Sequence, residues 1–293
     1  MYKNRFTRAN PGLLIYLVDQ SYSMNDPWAD GNSLAEQTAL VINRCINETI
    51  QKFTDISVGV KESANVVIIG YGGIEKSESA YLIQKGTIKE LADKPLRIET
   101  VNKKVPDGAG GLVEVKFDMP IWIEPKGVWG TPMASAFDMA YQIIDGWVTK
   151  KQNRQTSPDA KAGQPSMDPV PIVINVTDGV PTDDKQEVRD NANKIKNISC
   201  PDGNPLIFNV HLSPASGTEI QFPSQKPSGD EATELMYDLS SELPEAFVSD
   251  AKGAGFDVNG GEKTFISNCK TVEKFIAFLN FGTNVGTDSN NPG

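Results

Sequence analysis

Several residue types are scarce in this chain, and each scarcity closes off a class. Of 293 residues only three are cysteine, Cys45, Cys200 and Cys269. An odd number with no close pair argues against a disulfide framework or a cysteine zinc site, and leaves reduced, mostly buried thiols as the expectation. The single histidine, His211, ends an apparent buried strand, Leu206 to Leu212, and is given a structural role. No apolar run approaches the roughly 18 residues of a membrane-spanning helix, so no membrane partner is expected. Positive charge is in deficit, with 28 Lys and Arg against 38 Asp and Glu and a net charge of -10. Affinity for nucleic acid rests largely on Lys and Arg neutralising phosphates, so nucleic acid is not an expected partner. The basic start, Met1 to Arg8, lacks the separate apolar segment and small-residue cleavage site of a signal peptide, which makes cytoplasmic the default location. A phosphate-cradling Walker sequence is also missing.

What is present looks globular. Hydrophobic residues at 39% and charged residues at 23% sit near the globular norm, so disorder is not favoured. The organising stretch is Gly12 to Met24. Leu13 to Val18 is continuously apolar or aromatic, as in a strand buried on both faces of a parallel sheet. A helix follows, marked by the capping-box pair Ser33 and Glu36 and by Leu34, Val41, Ile42, Cys45, Ile46, Ile50 and Phe53 at helical spacing. Ala64 to Tyr71 is the next buried strand.

From Ile74 to Gly130 short β-like runs alternate with Gly, Pro, Asp and Lys, and no helical period stands out. The expectation there is a β-rich insertion, a hairpin or small meander within the main sheet or at its edge, with a mobile loop at 106–111. Thr131 as N-cap and Pro132 at the first helical position start a helix to about Val148, and 150–169 reads as a surface loop. Ile172 to Thr177 is a strand, and Pro181 to Asp184 opens a helix. Leu206 to Leu212 is another strand and 213–230 a long loop. Helical segments follow at Glu231 to Leu239 and Pro244 to Lys252, then a strand at Lys263 to Ser267 and a helix from about Thr271 to Phe281. Strands alternating with helices predict an α/β fold with a doubly wound, mostly parallel central sheet and helices on both faces. One domain over 1–281 with a flexible tail at 282–293 is the expected organisation.

Two of the buried strands end on a carboxylate, at Asp19 and at Asp178. Open α/β sheets bind ligands outside the carboxyl ends of their strands. If the two strands are neighbours, Asp19, Ser21, Ser23, Thr131 and Asp178 share one rim. Two anionic oxygens and three hydroxyls are hard donors that suit Mg²⁺, or another divalent cation such as Mn²⁺ or Ca²⁺, directly or through water. A plainer reading stands beside this one: strand-end acids capping amides, serines as turn residues, and Thr131 as an N-cap only. Asp183 and Asp184 read as helix-start acids, and Asp26 and Asp30 as solvated loop acids. Trp28, Trp122 and Trp129 are assigned to the core, although Trp28 and Trp129 flank the site in sequence and could face a partner.

At this point the sequence resembles a known family. Asp19-Gln20-Ser21-Tyr22-Ser23 matches the D-x-S-x-S motif of von Willebrand factor A (VWA) domains, Gly130-Thr131-Pro132 is similar to their G-T-P segment, and Thr177 to Asp183 to their T-D-G-x-P-T-D segment. The resemblance implies a Rossmann-like VWA fold and a metal-ion-dependent adhesion site (MIDAS) made by the same five residues. It also implies a protein partner that supplies an Asp or Glu to the metal. Compact VWA proteins of the bacterial cytoplasm further imply a regulatory or scaffolding role in a stress or defence assembly, with a kinase, phosphatase or ATPase as partner. The chain is therefore expected to be a non-enzymatic binding module. Two alternatives are a Mg²⁺-dependent phosphoryl-transfer enzyme with Asp19 as nucleophile, and a subunit working beside an AAA+ ATPase. The first resembles haloacid-dehalogenase-type enzymes, but the second acid of their motif is here Ser21.

Overall fold

The computed structural model of the chain describes residues 1–28, 31–73, 79–106, 112–155, 168–212, 218–228, 230–269 and 271–284. In chain order the elements are β1 (Gly12–Asp19), α1 (Leu34–Lys52), β2 (Thr54–Asp55), β3 (Gly59–Val60), β4 (Ala64–Tyr71), β5 (Ala80–Thr87) and α2 (Ile88–Asp93). They continue with β6 (Arg97–Pro106), β7 (Leu112–Ile121), α3 (Met133–Gln155), β8 (Ile172–Thr177), α4 (Lys185–Lys196) and β9 (Leu206–His211). The last are β10 (Ile220–Gln221), α5 (Glu231–Leu239), α6 (Val248–Gly253), β11 (Phe265–Ser267) and α7 (Val272–Asn284).

Among the described residues seven strands form the main sheet, in the order β10-β11-β9-β8-β1-β4-β5. The five from β11 to β4 run parallel, and β10 and β5 close the two edges antiparallel. This is the doubly wound α/β sheet that the strand and helix alternation predicts. Every residue of β1 is buried, because its two faces serve different layers. Leu14, Tyr16 and Val18 pack with Leu34, Ile42, Phe275 and Phe278 from α1 and α7. Leu13, Ile15 and Leu17 pack with Phe137, Ile144, Val188 and Leu235 from α3, α4 and α5. A strand that must be apolar toward both layers loses its alternation and reads as a continuous run. The capping box of α1 is formed: the Ser33 hydroxyl accepts from Glu36 N at 3.2 Å and the Glu36 carboxylate from Ser33 N at 2.7 Å.

The β-rich segment splits into parts the sequence does not separate. β5 joins the main sheet, β6 and β7 pair into a hairpin of their own, and between them lies α2, with a capping box at Thr87 and Glu90. Its six residues are too few for helical periodicity to register. Helix α3 continues past Val148 to Gln155; Lys151 in this added turn is held by Asp168 and by the Pro11 carbonyl at 2.9 Å. The stretch expected as one loop over 213–230 contains β10. Helix α7 runs into the expected tail as far as Asn284. Of the expected loop at 106–111, Pro106 is the last residue of β6, and 107–111, like the tail beyond residue 284, lie outside the described residues. All three cysteines are free thiols.

Candidate metal centre

Because β1 and β8 are adjacent and parallel, with Val18 paired to Val176, both strand-end acids emerge on one rim. Asp19 is 1% exposed. Its Oδ1 accepts from Ser21 N at 2.8 Å and its Oδ2 from the Thr177 hydroxyl at 2.5 Å. Ser23 Oγ donates to Asp178 Oδ1 at 3.0 Å and lies 3.2 Å from Ser21 Oγ. Asp19, Ser21, Ser23 and Asp178 are therefore joined in one hydrogen-bonded chain, through the Ser21 N–H at one end and the two hydroxyls at the other.

The segment bearing Thr131 is held between the same two loops by hydrogen bonds, three between main-chain groups and one to a side-chain hydroxyl. On one side Val128 N donates to Gln20 O at 2.7 Å and Tyr22 N to Trp129 O at 2.9 Å. On the other, Thr131 N donates to Thr182 Oγ1 at 2.9 Å and Thr182 N to Thr131 O at 3.0 Å. All five predicted residues thus lie on loops fastened to one another. The head of α3 is capped from elsewhere. Ala134 N donates to Asp183 Oδ2 at 2.7 Å, while Pro132 has no side-chain oxygen to offer. Asp184 separately N-caps α4, accepting from Gln186 N and Glu187 N. The two acids read alike in the sequence therefore serve two different helices, and Thr131 is not needed as the cap.

The electrostatics are unfavourable as they stand. Burial pushes the Asp19 carboxyl up to about 7, the Asp178 charge adds to the rise, and hydrogen bonds from Ser21 and Thr177 oppose it. Asp178 is pushed up to about 6, again mainly by burial, with the Ser23 hydroxyl opposing and Asp26 adding like charge. Among the described residues no Lys, Arg or His forms an ion pair with either acid. Lys126, on the loop after β7, is instead bonded to Gly73 O at 3.1 Å and the Tyr81 hydroxyl at 2.9 Å. Two desolvated like charges without a counter-ion are costly. Hard oxygen donors around them are what a divalent cation binds, so the residues fit the group that the motif implies. Among the described residues no group of three or more His, Cys, Asp or Glu is assembled for a metal, so hydroxyls must complete the donor set.

Two contributors lie in the quoted T-D-G-x-P-T-D segment but were not among the predicted site residues. Thr177, the first residue of that segment, fixes Asp19. Asp183 ties α3 to the loop after β8; one of its oxygens, Oδ1, is buried without a hydrogen-bond partner, and burial raises its pKa. Trp28 and Trp122 are core residues, as assigned, but Trp129 is 48% exposed. Asp26 is exposed, and Asp30 lies outside the described residues. His211 is buried with Nδ1 2.9 Å from the Ser267 hydroxyl, in keeping with a structural role.

The loop after β4 is set by glycine. A Cβ on Gly72 would lie 2.2 Å from the Gln20 carbonyl oxygen, which is the acceptor for Val128 N. Gly72→Ala must therefore move backbone at the rim. Chemical denaturation is expected to show a loss of about 1–3 kcal/mol, and a loss within error would contradict this packing.

No family model and no curated protein matches the chain. Among solved structures, the pilus adhesin SpaC from Lactobacillus rhamnosus GG superposes with a TM-score of 0.50 at 12% identity, over 96% of this chain and 31% of the adhesin. The chain therefore spans about a third of that protein's length. The VWA domain of SpRpn10 matches at a TM-score of 0.36 and 10% identity, over 79% of this chain and 83% of that domain. The PilB minor pilin from Streptococcus sanguinis matches at 0.43 and 10%, over 94% and 61%. The first likeness agrees with the α/β fold described above; the other two carry no weight at those scores.

Proposed function

We propose that this chain is a non-enzymatic protein-binding domain of VWA type, whose partner docks through a divalent cation held by Asp19, Ser21, Ser23, Thr131 and Asp178. The observation that carries the reading is the pair of raised, desolvated carboxylates joined through Ser23 and Ser21, with no ion pair to either among the described residues. Mg²⁺ is the first candidate, with Mn²⁺ and Ca²⁺ beside it. When bound, the cation supplies positive charge to which a partner's Asp or Glu can coordinate. The chain's own residues do the rest: Thr177 and Ser21 N orient Asp19, and Asp183 fixes the segment that bears Thr131. Ser23 is exposed, which leaves an open side for the partner. The pilus adhesin among the structural neighbours is in keeping with a binding role.

Phosphoryl transfer from Asp19 is the less favoured reading, because both carboxylate oxygens are engaged and the side chain is buried. Turnover of phosphate esters or ATP by the pure protein with Mg²⁺, abolished by Asp19→Asn, would overturn the binding reading. The direct test of that reading is calorimetric titration with MgCl₂. Thr131→Ala is expected to weaken cation affinity at least about tenfold, and a wild-type protein that takes up no divalent cation would end the proposal.

The proposal extends to a cytoplasmic regulatory or scaffolding role in a bacterial stress or defence assembly, with a kinase, phosphatase or AAA+ ATPase as partner. Its support is the motif resemblance. Among the described residues no helix is long and apolar enough to cross a membrane. Pull-downs with Mg²⁺ and with EDTA test it, since the named partner classes must appear in the first and vanish from the second.

A further inference from the structure

Three loops meet at the rim, and each carries a large apolar side chain in solvent within two residues of a proposed ligand. Tyr22, between Ser21 and Ser23, is 72% exposed, Trp129 is 48% exposed, and Val180, just past Asp178, is 36% exposed. The exposure of Trp129 is built in. Its φ is 60°, a left-handed backbone that is a genuine outlier for a bulky residue and costs energy to hold. The conformation is fixed on both sides: Val128 N bonds Gln20 O, the Trp129 carbonyl accepts from Tyr22 N, and Thr131 N bonds Thr182. That last-but-one bond also joins the two exposed aromatic residues backbone to backbone. Strain held by a hydrogen-bonded frame beside an open site is an arrangement associated with function.

The charge of the same face narrows what it can receive. Asp26 adds like charge at Asp178, and neither Asp19 nor Asp178 has an ion-pair partner among the described residues. A second acid beside the one that reaches the cation would meet like charge, whereas an apolar neighbour would meet Tyr22, Trp129 or Val180. Exposed Tyr and Trp are the side chains that most often dominate protein interfaces. Val180 has no ring face to stack on a sugar, which favours a polypeptide.

We infer that Tyr22, Trp129 and Val180 form an apolar collar that selects a partner protein loop in which the cation-binding Asp or Glu is directly flanked by aromatic or aliphatic side chains. This rests on the cation-docking reading above and adds the identity of what docks.

The test uses a displayed library of random short peptides, selected on the full chain in Mg²⁺ and counter-selected in EDTA. The expected winners carry an acid with Phe, Tyr, Trp, Leu or Ile within two positions. A synthetic winner is then measured against the triple variant Tyr22→Ser, Trp129→Asn, Val180→Ser. All three changes are at exposed side chains, and Asn tolerates the left-handed backbone at position 129. Peptide binding is expected to weaken about tenfold or more, with Mg²⁺ affinity by calorimetry unchanged. Winners whose acid is flanked by polar or basic residues, no winners at all, or equal binding by the triple variant would overturn the collar. So would binding confined to a glycan array and dependent on Tyr22 and Trp129. A wild-type protein that binds no Mg²⁺ instead marks the failure of the underlying cation reading, which the calorimetry reports separately.

Discussion

Asp19→Asn is expected to raise the melting temperature of the cation-free protein at pH 8 by roughly 5 °C, while abolishing its response to Mg²⁺. The two effects have one cause. Asp19 is desolvated and shares its rim with Asp178, so its ionised form is unfavourable and its carboxyl is pushed up to about 7. Asparagine keeps the shape and keeps an oxygen for Ser21 N. Its amide can donate to the Thr177 hydroxyl, which already lies 3.4 Å from Gly179 O as an alternative acceptor. A buried charge is removed and no hydrogen bond is left broken. The wild-type protein, by contrast, is expected to gain roughly 5–10 °C when Mg²⁺ is present at about a hundred times its Kd. Thermal melts of both proteins with MgCl₂ and with EDTA check the prediction. A variant less stable than wild type in EDTA would show that the Asp19 charge is compensated by something other than a cation.

The pH window follows from the same shift. Asp19 is raised above its ordinary value of 3.8, so between about pH 4 and pH 7 the folded chain holds a proton that the unfolded chain has lost. Stability contributed by this group therefore falls as pH rises through that window, and the full cost is present at pH 8. The gap in melting temperature between Asp19→Asn and wild type in EDTA is expected to be small at pH 4 and to widen steadily to pH 8. Stabilisation of the wild type by Mg²⁺ must grow in the same direction, since a cation competes with the proton for the same oxygens.

The parts of this fold that were legible in the sequence are those whose physics is local. β1, β4, β8 and β9 show as apolar runs because each is buried on both faces, and α1 shows because Ser33 and Glu36 bond each other across one turn. The rim was legible because D-x-S-x-S, G-T-P and T-D-G each sit at the end or head of such an element. What was not legible depends on contacts distant in sequence or on pieces too short to carry a period. β10 has two residues and α2 six, and neither can display an amphipathic pattern. That Asp183 caps α3 while Asp184 caps α4 is decided by the packing of two helices, not by adjacent residues of one chain segment. Trp129 was assigned inward on its apolar bulk, and its outward direction comes from a positive φ that only the bonds from neighbouring loops impose.

Asn175 and Asn209 pose a different problem, because each is a fully buried amide in the middle of a parallel sheet, where Val or Ile would ordinarily stand. They are register partners on β8 and β9, and they belong to one hydrogen-bonded ladder. The Tyr71 hydroxyl donates to Asn175 Oδ1 at 2.7 Å, Asn175 Nδ2 to Asn209 Oδ1 at 2.9 Å, and Asn209 Nδ2 to Ser240 Oγ at 2.9 Å. The Ser240 hydroxyl then donates to Met236 O at 2.6 Å, which ties the ladder to α5. Its other end lies under the candidate metal centre: burial raises the Tyr71 pKa, and the Asp19 charge raises it further. Asn175→Ala removes the middle of this chain. Asn209 Oδ1 loses its amide donor, and the Tyr71 hydroxyl loses its 2.7 Å acceptor and is left with the longer contact to the Val176 carbonyl at 3.3 Å. The expected cost is about 3 kcal/mol, from stranded polar groups and the cavity together. Asn209→Ala is expected to cost a similar amount, but the double variant should cost at least about 1 kcal/mol less than the sum, because the second change strands groups that the first has already freed. Urea denaturation of the four proteins in this cycle measures the coupling. Strict additivity would mean that the two amides act independently and that no ladder links α5 to the sheet beneath Asp19.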